Sequence, residues 1–404
     1  MYQVAVTGLG IVSSIGVGVK DVTESLREGK SGIKFEPERL ELGFRGALTG
    51  SIDNFIYPEL SRKKRKTMPE FVLHAYVAAL EAIKMSGLDD EKIQSDRTGL
   101  IIGNDSSTLA NVSQVDITRI EKTTLPIGTS KVFQALNSTT TMNLNTLLGN
   151  KGASWTISGA CSSGGHAIGQ ASDLIALGRQ DIIVCGGVQE INWESICSFD
   201  ATNAFSIRHK EPEKASRPFD KDRDGLVPSG GAAIVILERY DLAKKRGANI
   251  LGKILSYSFS SDGSELAVPS GEGIQRCMVD CLNRAEVNTD KIDYISAHGT
   301  STPVGDAAEA RAIYNVFGSR SPWISSLKSM TGHEMWMSGA SQVVYGILMG
   351  QGGFIAPNIN FKEQESGAAK INITPETIDK KPKILLLNSA GFGGTNSCLL
   401  IENE

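Results

Sequence analysis

The stretch Ser158-Gly159-Ala160-Cys161-Ser162-Ser163-Gly164-Gly165-His166-Ala167-Ile168-Gly169 places one cysteine among small residues. Residues 154–157, before it, are predicted to form a strand, and residues 167–177, after it, are apolar at helical spacing. A thiol at a strand-to-helix turn lies at the positive end of the helix dipole, which favours the nucleophilic thiolate. Small neighbours also leave room for a substrate and for backbone N–H donors. The opposite interpretation is a buried, inert cysteine, and this stretch alone does not decide between the two.

Composition narrows the classes of protein to which the chain can belong. The chain has 404 residues, 40% of them apolar and 21% charged, with a formal net charge of −4. These values are typical of a globular protein with a large core, and the charge favours neither nucleic acid nor an acidic membrane as the main partner. None of the six cysteines forms a C-x-x-C pair, and the five histidines lack the spacing of zinc ligands. We expect no metal site, no signal peptide, no membrane insertion and a cytoplasmic location.

Strands and helices alternate along the chain, and their order restarts near residue 250. The part before residue 250 is predicted to have strands at 3–7, 98–103, 154–157, 181–187 and 231–238, a turn at 8–10, and helices at 19–28, 69–85 and 167–177. The part from residue 250 onwards is predicted to have strands at 250–258, 292–297, 323–326, 383–387 and 395–401, and helices at 271–285, 306–317 and 338–350. Alternation favours mainly parallel sheets covered by helices. The repeated order predicts two similar halves, 1–245 and 246–404, with 104–150 as an excursion of short helices outside the core.

Three loops of the second half, each directly after a predicted strand, carry polar residues capable of catalysis. They are Ala297-His298-Gly299-Thr300-Ser301-Thr302-Pro303, Ser326-Leu327-Lys328-Ser329-Met330-Thr331-Gly332-His333 and Asn388-Ser389-Ala390-Gly391-Phe392-Gly393-Gly394-Thr395-Asn396. Polar groups at the carboxyl ends of parallel strands commonly line the crevice of an open sheet. A lone histidine is more often structural. A cysteine, two histidines, a lysine and a glycine-rich turn together form a set suited to acyl transfer.

These four motifs, in this order, resemble those of the β-ketoacyl-(acyl-carrier-protein) synthases, the ketosynthases of fatty-acid and polyketide synthesis. The resemblance covers essentially the whole chain, including Val6–Ser13 and Gly353–Asn360, and looks closest to the bacterial elongating synthases of type I. It implies an α/β, thiolase-type fold of five layers, α-β-α-β-α, built from two similar halves and working as a dimer. It also implies decarboxylative condensation of an acyl-enzyme with malonyl-acyl carrier protein. Phosphopantetheine would arrive on the carrier protein, and the enzyme itself would bind no cofactor.

The resemblance assigns roles residue by residue. Cys161 would hold the acyl group as a thioester, because a thiolate is both a good nucleophile and a good leaving group. His298 and His333 would stabilise the enolate that forms when malonyl loses CO2. Lys328 would organise the site, paired with Glu309. The remaining implied roles are the backbone N–H groups of Cys161 and Phe392 for the thioester oxyanion, Phe392 as a gate, and Thr300 and Thr302 as hydrogen-bond partners of the phosphopantetheine arm.

The dense basic run Arg62-Lys63-Lys64-Arg65-Lys66 has two interpretations. By itself it is typical of a solvated face. Carrier proteins are acidic, however, and the run lies where the family presents basic residues to them. The resemblance therefore implies that Arg62, Lys63, Arg65 and Lys66 dock the acyl carrier protein, with an association rate that falls as salt rises.

Three positions depart from the family's pattern. Trp336 stands where the family has glycine, and Ala390 stands where it usually has phenylalanine. The stretch 103–107, which contains Asp105, is more polar than the glycine-rich segment near the family's acyl pocket. Trp336 is larger and Ala390 is smaller than the residue usual in the family, and two opposite changes of size near one site indicate that the side chains there are repacked. We expect a polar pocket that suits a conjugated or aryl-capped acyl chain better than a plain alkyl chain.

Four other interpretations stay open. The first is a specialised ketosynthase of a polyene (aryl polyene-like) or type II polyketide pathway, working as a heterodimer with a chain-length-factor-like subunit. The second, a catalytically silent chain-length factor, is disfavoured by the intact Cys161, His298 and His333. The third is a thiolase acting on coenzyme A, which is disfavoured because thiolases use a second cysteine. The last is a non-enzymatic acyl-binding scaffold.

Overall fold

The computed structural model describes residues 1–404, apart from the side chain of Arg320. Its strands are β1 Val4–Ser13, β2 Gly16–Val17, β3 Ile33–Phe35, β4 Leu48–Gly50, β5 Thr98–Gly103, β6 Ser154–Ile157, β7 Ile182–Gln189, β8 Gly231–Arg239, β9 Gly252–Ser261, β10 Tyr294–Ser296, β11 Trp323–Ser325, β12 Ile384–Ala390 and β13 Thr395–Asn403. Its α-helices are α1 Val19–Glu28, α2 Pro37–Glu41, α3 Arg62–Arg65, α4 Glu70–Ser86, α5 Asp90–Ile93, α6 Thr108–Glu121, α7 Lys131–Ala135, α8 Thr139–Leu148, α9 Ser163–Ala176, α10 Cys197–Ala201, α11 Tyr240–Lys245, α12 Glu272–Ala285, α13 Pro303–Phe317, α14 Lys328–Thr331 and α15 Ser338–Gly352.

The two halves of the main sheet have the same strand order. The first half runs β6-β5-β7-β8-β1 and the second runs β11-β10-β12-β13-β9. If the strands of each half are numbered along the chain, both orders read 3-2-4-5-1. β1 and β9 join the halves edge to edge, through Val4–Val6 against Gly252–Ile254. The shared order confirms the two similar halves that the sequence predicts.

The prediction of mainly parallel sheets is wrong. β5 is parallel to β6 and β7, and β10 is parallel to β11 and β12. The other contacts of each half, β7–β8 and β8–β1 in the first and β12–β13 and β13–β9 in the second, are antiparallel. The alternation of strands and helices fails as a guide here because no crossover helix separates the last two strands of each half. β12 returns into β13 through the short turn 391–394, and antiparallel neighbours need no crossover.

The layers of the molecule follow from the packing of its longer helices. α9 and α15 pack against each other between the two half-sheets. α4 and α8 cover the outer face of the first half-sheet, and α12, with α13 packed beside it, covers that of the second. Because α15 is flanked on all sides, its residues from Ser338 to Gly350 are all buried. The five-layered α-β-α-β-α architecture implied by the resemblance is confirmed.

The predicted turn at 8–10 is wrong, because its two glycines lie within strand β1. The strand continues through this segment to Ser13, with a bulge between Val6 and Gly8. A Cβ on Gly8 would lie 2.1 Å from the carbonyl oxygen of Ala82, and one on Gly10 would lie 1.8 Å from that of Ala78. The glycines are there because α4 lies directly on the strand. Ala78 and Ala82, on the buried face of α4, make this contact.

The small residues around the cysteine place α9 against α15. A Cβ on Gly339 would lie 2.4 Å from the backbone nitrogen of Gly165, and one on Gly164 would lie 2.9 Å from that of Ala340. Only glycine allows helix backbones to approach so closely. The crossing brings the start of α9, next to Cys161, against the start of α15, next to His333.

The excursion 104–150 contains the short helices that the sequence predicts. It is not wholly outside the core, because α8 buries Leu144 and Leu148 under α4. The remainder leaves large apolar side chains exposed on α6, α7 and the turn between them, including Ile120, Leu125 and Phe133.

Candidate active site

Cys161 lies in the 310 turn Ala160–Ser162, between β6 and α9. Its side chain is buried in a cluster with Ile196, Phe205, Leu226, Met335 and Trp336. Ala160, the residue before it, has a left-handed φ of 46°, which is strained for any residue other than glycine. The N–H of Ala160 donates to a carboxylate oxygen of Asp105 at 3.0 Å. Asp105 therefore holds the turn that presents the thiol, and its side chain is committed to that task.

The turn favours the Cys161 thiolate, but in the substrate-free site burial outweighs this effect. Burial raises the pKa of the Cys161 thiol to about 12. The Lys328 charge and the backbone N–H groups of Cys161 and Phe392 lower this pKa, while the Asp105 charge raises it further. Removal from water is the largest of these effects and disfavours the charged form. The resting side chain is the neutral thiol.

Two backbone N–H groups lie near the sulfur of Cys161. These N–H groups, of Cys161 and Phe392, lower the pKa of the thiol, although burial outweighs them. Phe392 begins the 310 turn Phe392–Gly394, which leaves β12 beside the cysteine. A Cβ on Gly391 would lie 3.0 Å from the backbone nitrogen of Cys161, so a side chain there would push against the cysteine turn. The hydroxyl of Ser389 also donates to the Cys161 carbonyl at 2.9 Å. The arrangement can hold an oxyanion on a thioester formed at Cys161.

His298 and His333 form an edge-to-face pair with ring centroids 5.3 Å apart. The Nδ1 atom of His333 lies 3.3 Å from the hydroxyl of Ser338 at the start of α15. Burial, followed by the Lys328 charge, holds the pKa of both histidines well below the usual value. A neutral imidazole keeps one N–H donor and one acceptor nitrogen, so each ring can donate to a developing negative charge without carrying a charge of its own.

The predicted direct pair between Lys328 and Glu309 is wrong in its geometry. Among the side chains that the structure describes, no oxygen of Glu309 lies within 4.0 Å of the lysine nitrogen. Instead, the two side chains hold opposite sides of His298. Lys328 Nζ donates to the His298 carbonyl at 2.6 Å, and Glu309 accepts the N–H groups of His298 and Gly299 at 2.8 and 2.7 Å. Both charged groups are buried, and together they fix the backbone from which the His298 ring projects.

Thr300 and Thr302 lie together in the loop between β10 and α13. Their hydroxyl oxygens are 2.9 Å apart. Asp306 holds this loop, because one of its oxygens accepts the N–H groups of Thr300 and Ser301 at 2.9 and 3.1 Å. Ser301 has a left-handed φ of 69°. Burial raises the pKa of Asp306 to about 7. The structure therefore brings both threonines to one face of the loop that carries His298.

A row of aromatic rings leads from Phe392 into the site. Phe392 is 44% exposed and stacks on Phe199 with centroids 5.8 Å apart. Phe199 in turn lies 6.1 Å from Trp336. The indole N–H of Trp336 donates to the hydroxyl of Ser106 at 3.1 Å, and that hydroxyl contacts buried Glu190 at 3.2 Å. The polar stretch 103–107 thus supports the wall behind the cysteine.

The basic run forms the exposed helix α3, outside the buried site. The carbonyl of Lys66 accepts a hydrogen bond from Gln134 at 2.7 Å. Ala390, the other position that departs from the family's pattern, ends β12 opposite Asn396. It precedes the glycine that allows the Phe392 turn to approach Cys161.

Several residues of the site lie outside the sequence-based prediction. Asp306 and Ser338 hold the histidine loops, Phe199 stacks on Phe392, and Asn388 donates to Glu309 at 3.3 Å. Asn388 belongs to a quoted motif, but nothing in the sequence tells which of its neighbours it contacts. Across the described residues, no group of three histidine, cysteine or acidic side chains has the geometry of a metal site. In the same part of the chain, no helix is long and apolar enough to cross a membrane.

Comparisons with known proteins agree with this geometry. The family model of the β-ketoacyl synthase N-terminal domain matches residues 1–243, and that of the C-terminal domain matches residues 251–362. The chain is 41% identical over 405 residues to 3-oxoacyl-(acyl-carrier-protein) synthase 1 of Haemophilus influenzae, covering 100% of this chain and 99% of that one.

Two solved structures are also similar along the whole chain. A β-ketoacyl synthase from Burkholderia phymatum has a TM-score of 0.95 at 31% identity and covers 100% of both chains. A type II polyketide ketosynthase, solved in complex with its acyl carrier protein and bound to the hexaketide, has a TM-score of 0.89 at 29% identity, covering 100% of this chain and 99% of that one. The chain, with its cysteine turn and histidine pair in one buried site, belongs to the β-ketoacyl synthase family.

Proposed function

We propose that this β-ketoacyl synthase elongates acyl chains in fatty-acid-type synthesis, joining an acyl group on Cys161 to malonyl-acyl carrier protein. One observation carries the assignment of residues. The thiol, beside the backbone N–H groups of Cys161 and Phe392, shares a buried site with two neutral histidines. The first arrangement suits an acyl thioester, and the second suits the enolate that attacks it.

The first half-reaction loads the enzyme. Cys161 loses its proton as its sulfur attacks the thioester of the incoming acyl carrier protein. The N–H groups of Cys161 and Phe392 hold the oxyanion of the tetrahedral intermediate. The bond from the acyl carbon to the pantetheine sulfur then breaks, and the departing thiolate takes up the proton. Thr300 and Thr302 hold the pantetheine arm through their hydroxyl groups.

The second half-reaction forms the carbon–carbon bond. The bond between the malonyl α-carbon and its carboxylate breaks, CO2 leaves, and the electron pair passes to the thioester oxygen as an enolate. His298 and His333 donate to that oxygen. The α-carbon attacks the acyl-Cys161 thioester, and collapse of the oxyanion expels the Cys161 thiolate, which takes up one proton. The products are β-ketoacyl-carrier protein, CO2 and free thiol.

Phe392 acts as the gate between these steps. Its ring is half-exposed and lies on the same turn as the N–H that holds the oxyanion. Gly393, next to it, has a left-handed φ of 75° and donates to the carbonyl of Leu266 at 2.8 Å. A turn with glycine at its bend is suited to swing the ring aside when an acyl chain enters.

The exposed basic helix α3 is the docking site for the acyl carrier protein. Its four residues are all basic, and none of their side chains is buried. Charge complementarity of this kind speeds association more than it tightens the complex. No cofactor is held by the enzyme, since the pantetheine arrives on the carrier.

A second copy of the chain covers the apolar face of the excursion. Exposed large hydrophobic side chains cluster there, namely Leu109, Val112, Val115, Ile120, Leu125, Val132, Phe133, Leu136 and, on edge strand β6, Trp155. Contiguous exposed apolar surface marks a protein interface. Sedimentation of the purified chain distinguishes a homodimer from a subunit that dimerises only with a related, non-identical ketosynthase-like partner.

A second candidate function is elongation of a conjugated or aryl-capped chain in a polyene or polyketide pathway. The row Phe392–Phe199–Trp336 favours it, because aromatic rings stack on a conjugated chain. Loading of Cys161 from a panel of carrier-bound chains separates the two. A clear preference for saturated chains over conjugated chains of equal length excludes this second function.

We propose two further points with this function. The chain divides into a nucleophile half, 1–245, and a histidine and lysine half, 246–404, at the end of α11. The enzyme works in the cytoplasm.

The test of the function itself is formation of β-ketoacyl-carrier protein from acyl- and malonyl-carrier protein, followed by mass spectrometry. Product must form with the wild-type chain and be lost in Cys161→Ala; product formation by that variant at the wild-type rate overturns the assignment.

A further inference from the structure

Glu334 is a buried carboxylate that the reaction described above does not use. It directly follows His333 and is 2% exposed. One of its oxygens accepts the hydroxyls of Tyr345 at 2.7 Å and Ser13 at 3.1 Å, and the other accepts the hydroxyl of Ser341 at 2.5 Å. These donors lie on β1 and α15, so the side chain ties both elements to the histidine loop.

Lys328 is the cation whose charge acts on this carboxylate. The two residues lie on adjoining turns, because the Lys328 carbonyl accepts the N–H of Gly332, two residues before Glu334, at 3.0 Å. The Lys328 ammonium group is buried and donates to the His298 carbonyl. A buried ammonium is costly unless negative charge compensates it. Burial lowers the pKa of Lys328, and nearby acidic groups raise this pKa in the order Glu309, Glu334, Cys161 and Asp306. The Lys328 charge in turn helps to lower the pKa of both histidines of the site.

These acidic groups are not equivalent. Asp306 lies 3.8 Å from Arg223 and accepts three backbone N–H groups, and Cys161 is a neutral thiol at rest. Glu309 accepts two backbone N–H groups and the amide of Asn388. Glu334 has only neutral hydroxyl donors, and within the described chain no cation lies within 4.0 Å of it. Burial raises the pKa of Glu334, while its three hydroxyl donors and the Lys328 charge lower this pKa, and Lys328 is the cation that favours the carboxylate form.

We propose that Glu334 is a positioning residue: as a carboxylate it is the second countercharge of Lys328, beside Glu309, and it keeps the ammonium group charged and bound to the His298 carbonyl. The proposal rests on the proposed function, because it is the condensing site that needs this charge. A charged Lys328 favours the Cys161 thiolate and keeps both histidines neutral. Loss of the Glu334 charge would therefore change the protonation of the Cys161 thiol and of the two histidines through Lys328. Glu334 itself does not contact the substrate.

The test is a thermal-unfolding cycle on the full chain with Glu334→Gln, Lys328→Met and the double variant. Glutamine keeps the shape and the acceptor oxygen but removes the charge. We expect Glu334→Gln to lower the unfolding temperature at least about 2 °C more in the wild-type background than in the Lys328→Met background. Equal losses in both backgrounds overturn the proposal, as does a neutral, protonated Glu334, which would give that same additive result. If Glu334→Gln does not fold, recovery of folding in the double variant supports the proposal, and failure of the double variant while Lys328→Met folds overturns it.

This cycle needs no enzymatic activity, so its failure is distinct from failure of the proposed function. A second readout is the pH profile of kcat/KM for condensation. With the countercharge removed, Lys328 loses its proton at lower pH, and we expect the alkaline limb of Glu334→Gln to move down by about one pH unit. Glu334→Asp, which retains the charge, and Ser341→Ala, which removes only a hydroxyl donor, leave the limb in place. A Glu334→Gln limb that stays with the wild type, at lower overall activity, shows a merely structural role.

Discussion

Replacement of Asp105 by asparagine should make Cys161 more reactive. Asp105 accepts the N–H of Ala160 at 3.0 Å, and its charge raises the pKa of the neighbouring thiol. Asparagine keeps an acceptor oxygen at this position and removes only the charge. With a thiol pKa of about 12, about one molecule in ten thousand is thiolate at pH 8. Removal of a nearby negative charge lowers such a pKa by about one unit, which raises the thiolate fraction about tenfold.

The assay is the rate of iodoacetamide alkylation of Cys161, followed by mass spectrometry of the peptide between pH 7 and pH 9. We expect both proteins to react about ten times faster per pH unit, because both thiols titrate above this range, with Asp105→Asn about tenfold faster at every pH. The alkylation rate of exposed Cys197 in the same sample is the internal reference for the activity of the reagent. Asp116→Asn, on the exposed face of α6, is the matched control for loss of one negative charge. An Asp105→Asn rate that equals or falls below that of the wild type, with Cys197 unchanged, refutes the electrostatic account of the thiol.

Three further predictions concern the enolate donors, the aromatic wall and the docking helix. His298→Ala should slow decarboxylation of malonyl-carrier protein about 100- to 1,000-fold while Cys161 still loads, since one donor to the developing oxyanion is lost; equal loss of both steps contradicts the assigned role. Trp336→Ala should increase loading of longer acyl chains relative to short ones in competition assays, because the indole fills space beside Cys161; an unchanged ratio contradicts its place in the acyl pocket. Charge reversal at Lys63 and Lys66 should lower kcat/KM for carrier-bound substrate at low salt, with the difference shrinking as salt rises; unchanged rates exclude docking at α3, and reversal at exposed Lys291 and Lys381 is the control.

The sequence predicts the elements of this fold better than it predicts their pairing. Strand positions come from runs of apolar residues, and these lie close to the observed strands. Strand direction does not follow from such runs, so the sequence does not predict the antiparallel β12–β13 and β7–β8 pairs. The local sequence predicts a turn at the glycines of β1, because their close contact with α4 is a tertiary feature that the local sequence does not contain.

For the candidate active site too, the sequence predicts which residues come together but not how they contact one another. The motifs identify which residues gather, because each follows a strand that ends at one edge of a half-sheet. They do not predict that Lys328 and Glu309 act on opposite sides of the His298 backbone, which depends on side-chain reach. Nor does the helix dipole predict the state of Cys161, since burial by Met335, Trp336 and their neighbours sets the thiol pKa. Glu334 carries no sequence signal beyond its position next to His333.

The most direct test of the central claim is intact-protein mass spectrometry of the enzyme after exposure to a carrier protein that bears an acyl group. The mass is measured before and after addition of malonyl-carrier protein. The account predicts one acyl group per chain, located on Cys161, which disappears on addition of malonyl-carrier protein as the β-ketoacyl product forms. Cys161→Ala should remain unmodified. An acyl group on another residue, or an adduct on Cys161 that persists when malonyl-carrier protein is added, would contradict the account.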